Sequence, residues 1–166
     1  PTRNEQLLRS AIGQSIRSMV RYADGEPDSV LASEAHKIRS VVARQLFSLA
    51  DGEVVVRLAN GEALRFGGSE ELASVTVERA DEKALREDGW QPIDATDPAY
   101  SEPVFAGVVG HRIVGIRVLR FDVKSTSTRV MSPALERRPR EAGVVIELDD
   151  GSALLISQAL LDAPNN

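Results

Sequence analysis

Catalysis needs a nucleophile, a base or a metal, and this chain holds few residues able to serve. It has two histidines, His36 and His111, and no cysteine. Neither histidine stands in a metal-ligand spacing such as H-E-x-x-H, so a zinc or iron site would have to draw on scattered acids. No G-x-S-x-G elbow presents a serine nucleophile. Phe66-Gly67-Gly68-Ser69 has the outline of a phosphate-cradling loop, but Glu70 and Glu71 put negative charge where the anion would sit. A strand-ending turn explains that segment, and no P-loop or dinucleotide fingerprint occurs elsewhere. The expectation is therefore a protein without cofactor, metal or catalytic residues. One alternative stays open: a small-ligand site or enzyme using a groove near His111, which aligns with Gln14 in an earlier segment. Alignment with glutamine favours a polar strand-start residue over a base, and His36, between apolar positions of a helical pattern, reads as structural.

Charge is the more informative chemistry. Residues 51 to 102 carry 13 acidic and 5 basic side chains, whereas the flanking stretches are close to balance. A field of that sign repels nucleic acid and attracts a basic protein surface. Candidate partner contacts are Glu70, Glu71, Asp81, Glu82, Glu87, Asp88 and Trp90, the last because tryptophan anchors interfaces. Trp90 suits a core plug equally well. Arg137-Arg138-Pro139-Arg140 is the only basic cluster, flanked by Glu136 and Glu141 and without stacking aromatics, so no nucleic-acid role is expected. No stretch is apolar for the ~20 residues a bilayer requires, and no signal peptide opens the chain. With no cysteine to oxidise, the expected location is the cytoplasm.

The elements that must position these residues announce themselves by repetition. Val54 to Phe66 returns as Val144 to Ile156, with six of thirteen positions identical. Ile12-Gly13-Gln14-Ser15-Ile16 is echoed by Val109-Gly110-His111-Arg112-Ile113 at an offset of 97 rather than 90. Asn60-Gly61 and Asp150-Gly151, each between apolar runs, predict type I′ hairpins pairing 53–58 with 62–67 and 143–148 with 152–157. Leu7-Leu8-Ala11-Ile12 and Val104-Phe105-Val108-Val109 predict helical turns that Gly13 and Gly110 stop. Residues 112–121 read as a strand with a bulge, and residues 15–22 fit a strand or a helical turn. Residues 44–49 read as a third meander strand, 29–43 as a helix, 72–77 as a strand, and 81–88 as an acidic helix capped by Asp81. Trp90 to Pro103, with three prolines, reads as a connector, and 124–140 as a strand followed by a loop. The predicted class is α+β and β-rich. Two pseudo-repeated halves, about 1–79 and 99–166, would form one domain around an acidic connector at 80–98.

The run from Val109-Gly110-His111-Arg112-Ile113 to Gly143-Val144-Val145-Ile146-Glu147-Leu148-Asp149-Asp150-Gly151-Ser152 resembles a pattern found in small bacterial β-rich proteins. Leu49-Ala50-Asp51-Gly52-Glu53, Leu64-Arg65-Phe66, Ser74-Val75 and Gly89-Trp90-Gln91-Pro92-Ile93-Asp94 are similar to such proteins as well. Some of them resemble immunity proteins, which neutralise toxins exchanged between competing bacteria. The resemblance implies a non-enzymatic binding protein that occludes a cognate toxin domain with a basic surface, and it offers no catalytic residues. A third possibility is a structural subunit assembling through open strand edges.

Overall fold

Apolar pairs followed by glycine decide where two of the strands begin. The computed structural model describes residues 4–37, 42–69, 74–121 and 140–157. Helix α1 (Glu5–Ala11) buries Leu8 and Ala11, and Gly13, at φ +89°, turns the chain out of it. β1 (Ile16–Asp24) then leads to α2 (Pro27–Lys37), opened by a proline where no helical N–H is needed. A 3-10 turn (Ala43–Gln45) runs into α3 (Leu46–Leu49). β2 (Glu53–Leu58), β3 (Ala63–Ser69) and β4 (Ser74–Arg79) form a meander, followed by α4 (Glu82–Glu87), β5 (Trp90–Asp94) and α5 (Pro103–Ala106). Gly110, at φ +96°, precedes β6 (Ile113–Phe121), and β7 (Arg140–Leu148) and β8 (Ala153–Ser157) complete the described chain. The fold is α+β and β-rich, with antiparallel sheets in the orders β4-β3-β2-β1-β5 and β6-β7-β8.

Both hairpins form, through a turn different from the predicted one. Gly61 N–H donates to Leu58 C=O at 3.0 Å and Leu58 N–H to Glu62 C=O at 2.8 Å; Gly151 to Leu148 and Leu148 to Ser152 repeat the arrangement at 3.0 and 2.9 Å. This is a type I turn closed by a glycine bulge, in which only the glycine needs positive φ. Asn60 and Asp150 work through their side chains instead: each accepts the N–H two residues on, from Glu62 and Ser152, at 2.9 Å.

Residues 44–49 are helical rather than a third strand, because the place beside β2 is taken by β1. Leu46 and Phe47 turn inward from α3, and the Phe47 ring meets Phe105 with centroids 5.0 Å apart. The supposed connector opens as strand β5, paired along β1 from Val20↔Asp94 to Asp24↔Trp90. Its one fully apolar inward residue, Ile93, was too little to show a period. Pro92 sits opposite Tyr22 on this edge strand, where a missing N–H costs no ladder bond and discourages strand addition. The ambiguous segment 15–22 is strand, and the bulge predicted in β6 lies between Ile113 and Gly115. The reading of 124–139 lies outside the described residues, and His36 falls within α2.

One buried cluster joins the inward faces of both sheets, running from Ile16, Val56 and Phe66 to Ile113, Val144 and Leu154. Among the described residues the sheets hold five strands and three, which does not confirm two equal halves. Where the echoed segments meet, however, they bond reciprocally. Gly13 N–H donates to Ile113 C=O and Gly110 N–H to Ile16 C=O, both at 2.8 Å; Ile16 to His111 and Ile113 to Gln14 follow at 2.9 Å. The outer face of the five-stranded sheet is covered by α4, whose Leu85 packs on Val20, Tyr22 and Val55.

Candidate functional site

The sequence-predicted acids divide into those used inside the fold and those left at its surface. Asp81 caps α4, its Oδ1 accepting the Ala84 N–H at 3.1 Å. Glu82 faces the sheet and receives a forked Arg57 guanidinium, with Nε to Oε1 at 2.6 Å and the second nitrogen on Oε2, together with the Tyr22 hydroxyl. Arg57 also donates to Ser18 Oγ at 2.9 Å. The Arg57 bonds hold the Glu82 carboxyl below its ordinary range, and Glu82 in turn raises Arg57. Glu87 pairs with Lys83 at 3.4 Å one helical turn back. Asp88, after the last turn of α4, is exposed. Trp90 is half-buried, packed beside the Val20, Tyr22 and Leu85 patch at the start of β5. Glu70 and Glu71 lie outside the described residues.

β5 brings further acids to this side that sequence spacing did not single out. Pairing with β1 sets Trp90 against the exposed Asp24, and the exposed Glu26 and Asp28 follow where the chain leaves β1. Tyr100 links the groups: its hydroxyl donates to Asp28 at 2.9 Å, and that bond, with the nearby charges of Asp28, Asp97 and Glu26, pushes the phenol up. Asp94 Oδ1 accepts from Thr96 N–H at 2.8 Å yet remains exposed. The signal missed was that Asp24 to Asp28, in a stretch of balanced charge, adjoins the acidic middle through the sheet.

A cleft of about 590 Å³ opens where β2 and β5 begin and β3 ends, walled by Arg21, Asp51, Glu53, Gly67, Gly68 and Trp90 among others. Arg21 is sunk among carbonyls of α3 and the turn after it, donating to Phe47 at 2.5 Å, Ala50 at 2.9 Å and Gly52 at 3.4 Å. Burial lowers it to about 10 against the pull of Asp51, so it stays charged at neutral pH. Glu53 Oε2 is buried without a hydrogen bond; Arg65 holds it by charge alone at 3.4 Å while bonding Glu78 at 2.5 Å. Burial pushes the Glu53 carboxyl up, Arg65 opposing. The same carboxylate lies where a Gly67 side chain would begin, since a Cβ there would stand 2.9 Å from Oε1.

His111 does have adjacent carboxylates. Nδ1 lies 3.1 Å from Asp149 and Nε2 3.6 Å from Asp150, at the β7–β8 turn. Asp149 also accepts the Arg112 N–H at 3.1 Å, and that bond, followed by His111, keeps its carboxyl low. Both ring nitrogens face acids and the cleft is not lined by His111, so the arrangement ties a turn to the strand junction. Among the described residues no group of three or more His, Asp or Glu is arranged to hold a metal ion. Nor is any of their helices long and apolar enough to cross a membrane. Comparison with family models, curated proteins and solved structures finds no match to this chain.

Proposed function

We propose that this chain is a non-catalytic, cytoplasmic binding protein of the immunity type, which occludes a cognate toxin domain by meeting its basic surface with an acidic face. The observation that carries the reading is the placement of acids at both ends of edge strand β5: Asp24 pairs with the half-buried Trp90 just after Asp88, while Asp94 ends the strand and Asp28, Asp97 and Glu26 gather at Tyr100. Opposed charges of this kind speed encounter and select partners more than they deepen affinity. Trp90 supplies the apolar area that a charged rim lacks. Glu82 belongs to the frame of this face, not its contact set.

The test is purification together with the protein encoded beside it. A complex stable at micromolar concentration, forming more slowly as salt rises, together with rescue of cells from that neighbour, is the expected result. Absence of both complex and rescue overturns the proposal.

A further inference from the structure

The edge of the three-stranded sheet at β6 carries a second binding inference, independent of the acidic face. Ser15 bridges to Arg112, and Gly13 and Gln14 bond Ile113, so the chain begins to pair along β6. Behind Gly13 it is helix α1, and the pairing stops. Among the described residues no strand lies beside β6 from Val114 onward except β7. Leu148 turns its N–H and C=O toward β8, bonding Ser152 and Gly151, so the alternate residues Glu147, Val145 and Gly143 turn theirs to β6, where their partners are Gly115, Arg117 and Leu119. Ile116 and Val118 therefore aim their N–H and C=O away from the sheet, as an added strand requires.

The same two residues pair with Ile146 and Val144, which are buried, yet are themselves only partly covered. A groove of about 430 Å³ lies between them and Leu8 and Ile12 on the α1 side, and Ile12 is 44% exposed. A strand laid on β6 would drop the side chains opposite Ile116 and Val118 into this groove. Its rim is basic: Arg9 and Arg120 line it against one acid, Glu5, which pairs with Arg9. Arg120 keeps 49% of its side chain exposed, with Glu141 standing 3.5 Å off. A second copy fits poorly, because twofold pairing of β6 with itself sets Arg117 against Arg117. We infer that β6 accepts an extended segment of a partner protein by strand addition, with alternate apolar side chains on Leu8, Ile12, Ile116 and Val118 and a carboxylate beside Arg120.

The probe is the peptide acetyl-Thr-Glu-Thr-Val-Thr-Val-Thr amide, titrated into the isotope-labelled full chain and read from the amide shifts of Ile116 and Val118. Laid antiparallel, its valines face Val118 and Ile116 and its glutamate faces Arg120. The shifts should saturate. A peptide N-methylated at both valines keeps the side chains but loses the donors to β6, and should bind at least tenfold more weakly. Glutamine in place of the glutamate should weaken binding to the parent chain and make no difference in Arg120→Gln. Leu155→Lys, on the other edge strand, should leave the affinity unchanged. Equal binding of the N-methylated peptide, no saturation by 10 mM, or shifts that spare Ile116 and Val118 overturn the inference. So does a dimer of the peptide-free chain that the peptide splits, since a second copy would then hold the edge. The N-methyl comparison uses the unaltered protein, so no variant's stability enters it.

Discussion

Glu82 and Asp88 are six residues apart in an acidic helix and its end, yet the structure gives them opposite duties, and replacing each separates the two. Glu82→Gln leaves the Arg57 fork facing a neutral amide whose NH2 cannot accept. The carboxylate takes two bonds from Arg57 and one from Tyr22. Hydrogen bonds to a charged group contribute about 1.5–3 kcal/mol each in well-buried settings. Here the side chains keep 31% and 24% of their exposure, so solvent screening cuts the combined loss to about 1.5 kcal/mol. At roughly 2.1 cal/mol/K of unfolding entropy per residue, 166 residues give about 0.35 kcal/mol/K and a fall in Tm near 4 °C. Asp88→Asn removes an exposed charge and should leave Tm within about 1 °C, while slowing association with the partner at low salt. Differential scanning calorimetry of both variants under one buffer decides it. A Glu82→Gln Tm equal to the parent, or an Asp88→Asn loss as large as Glu82→Gln, refutes the division of duties.

Further perturbations follow from the same geometry. Acid titration should weaken the fold through Glu82. Its carboxyl titrates lower in the folded chain than in the unfolded one, so the unfolded state binds more protons in that interval. Stability is then complete above the ordinary value of 4.5 and lost as pH falls below it; chemical denaturation from pH 6 to 3 should show a shallower loss in Glu82→Gln. Glu53 has the opposite sign: its carboxyl is raised, so its ionisation works against folding at neutral pH. Glu53→Gln should therefore raise Tm at pH 7, and a lowered Tm contradicts the burial argument. Gly52→Ala should cost more than about 3 kcal/mol. Gly52 sits at φ +139° and a Cβ would stand 2.0 Å from the Tyr22 carbonyl oxygen; urea unfolding measures it. Leu85→Ala, which uncovers the Val20 and Tyr22 face, should cost about 2–3 kcal/mol by the same method.

What could be read from the sequence was local chemistry. Glycines that stop α1 and begin β6, the Asp81 cap and the two hairpins all depend on neighbours within a few residues. Even there the turn type was misjudged, because Asn-Gly suits both a two-residue turn and a type I turn with a glycine bulge, and strand register decides between them. Elements defined by distant partners were missed. β5 is a strand only because β1 offers it an edge, and residues 44–49 are helical because that edge was already taken on the other side. The candidate face was half legible for the same reason. Glu82 looked like surface charge until the sheet supplied Arg57 and Tyr22, Asp24 joined the acids through strand pairing, and Asp28 through the Tyr100 hydroxyl. Nothing in the spacing of Glu53 signalled its cleft, which depends on the extra length of β3 beyond β2.

The reciprocal bonds between Gly13 and Ile113, and between Gly110 and Ile16, also bear on how the chain is made. The five-stranded sheet is complete once residue 94 is synthesised, but the residues that seal its inward face, Ile113, Val144, Ile146, Leu148 and Leu154, come in the last third. During translation the first sheet, covered in part by α1, α2 and α3, therefore leaves the ribosome with the rest of its apolar side open, and the chain must wait for β8 before that side is closed.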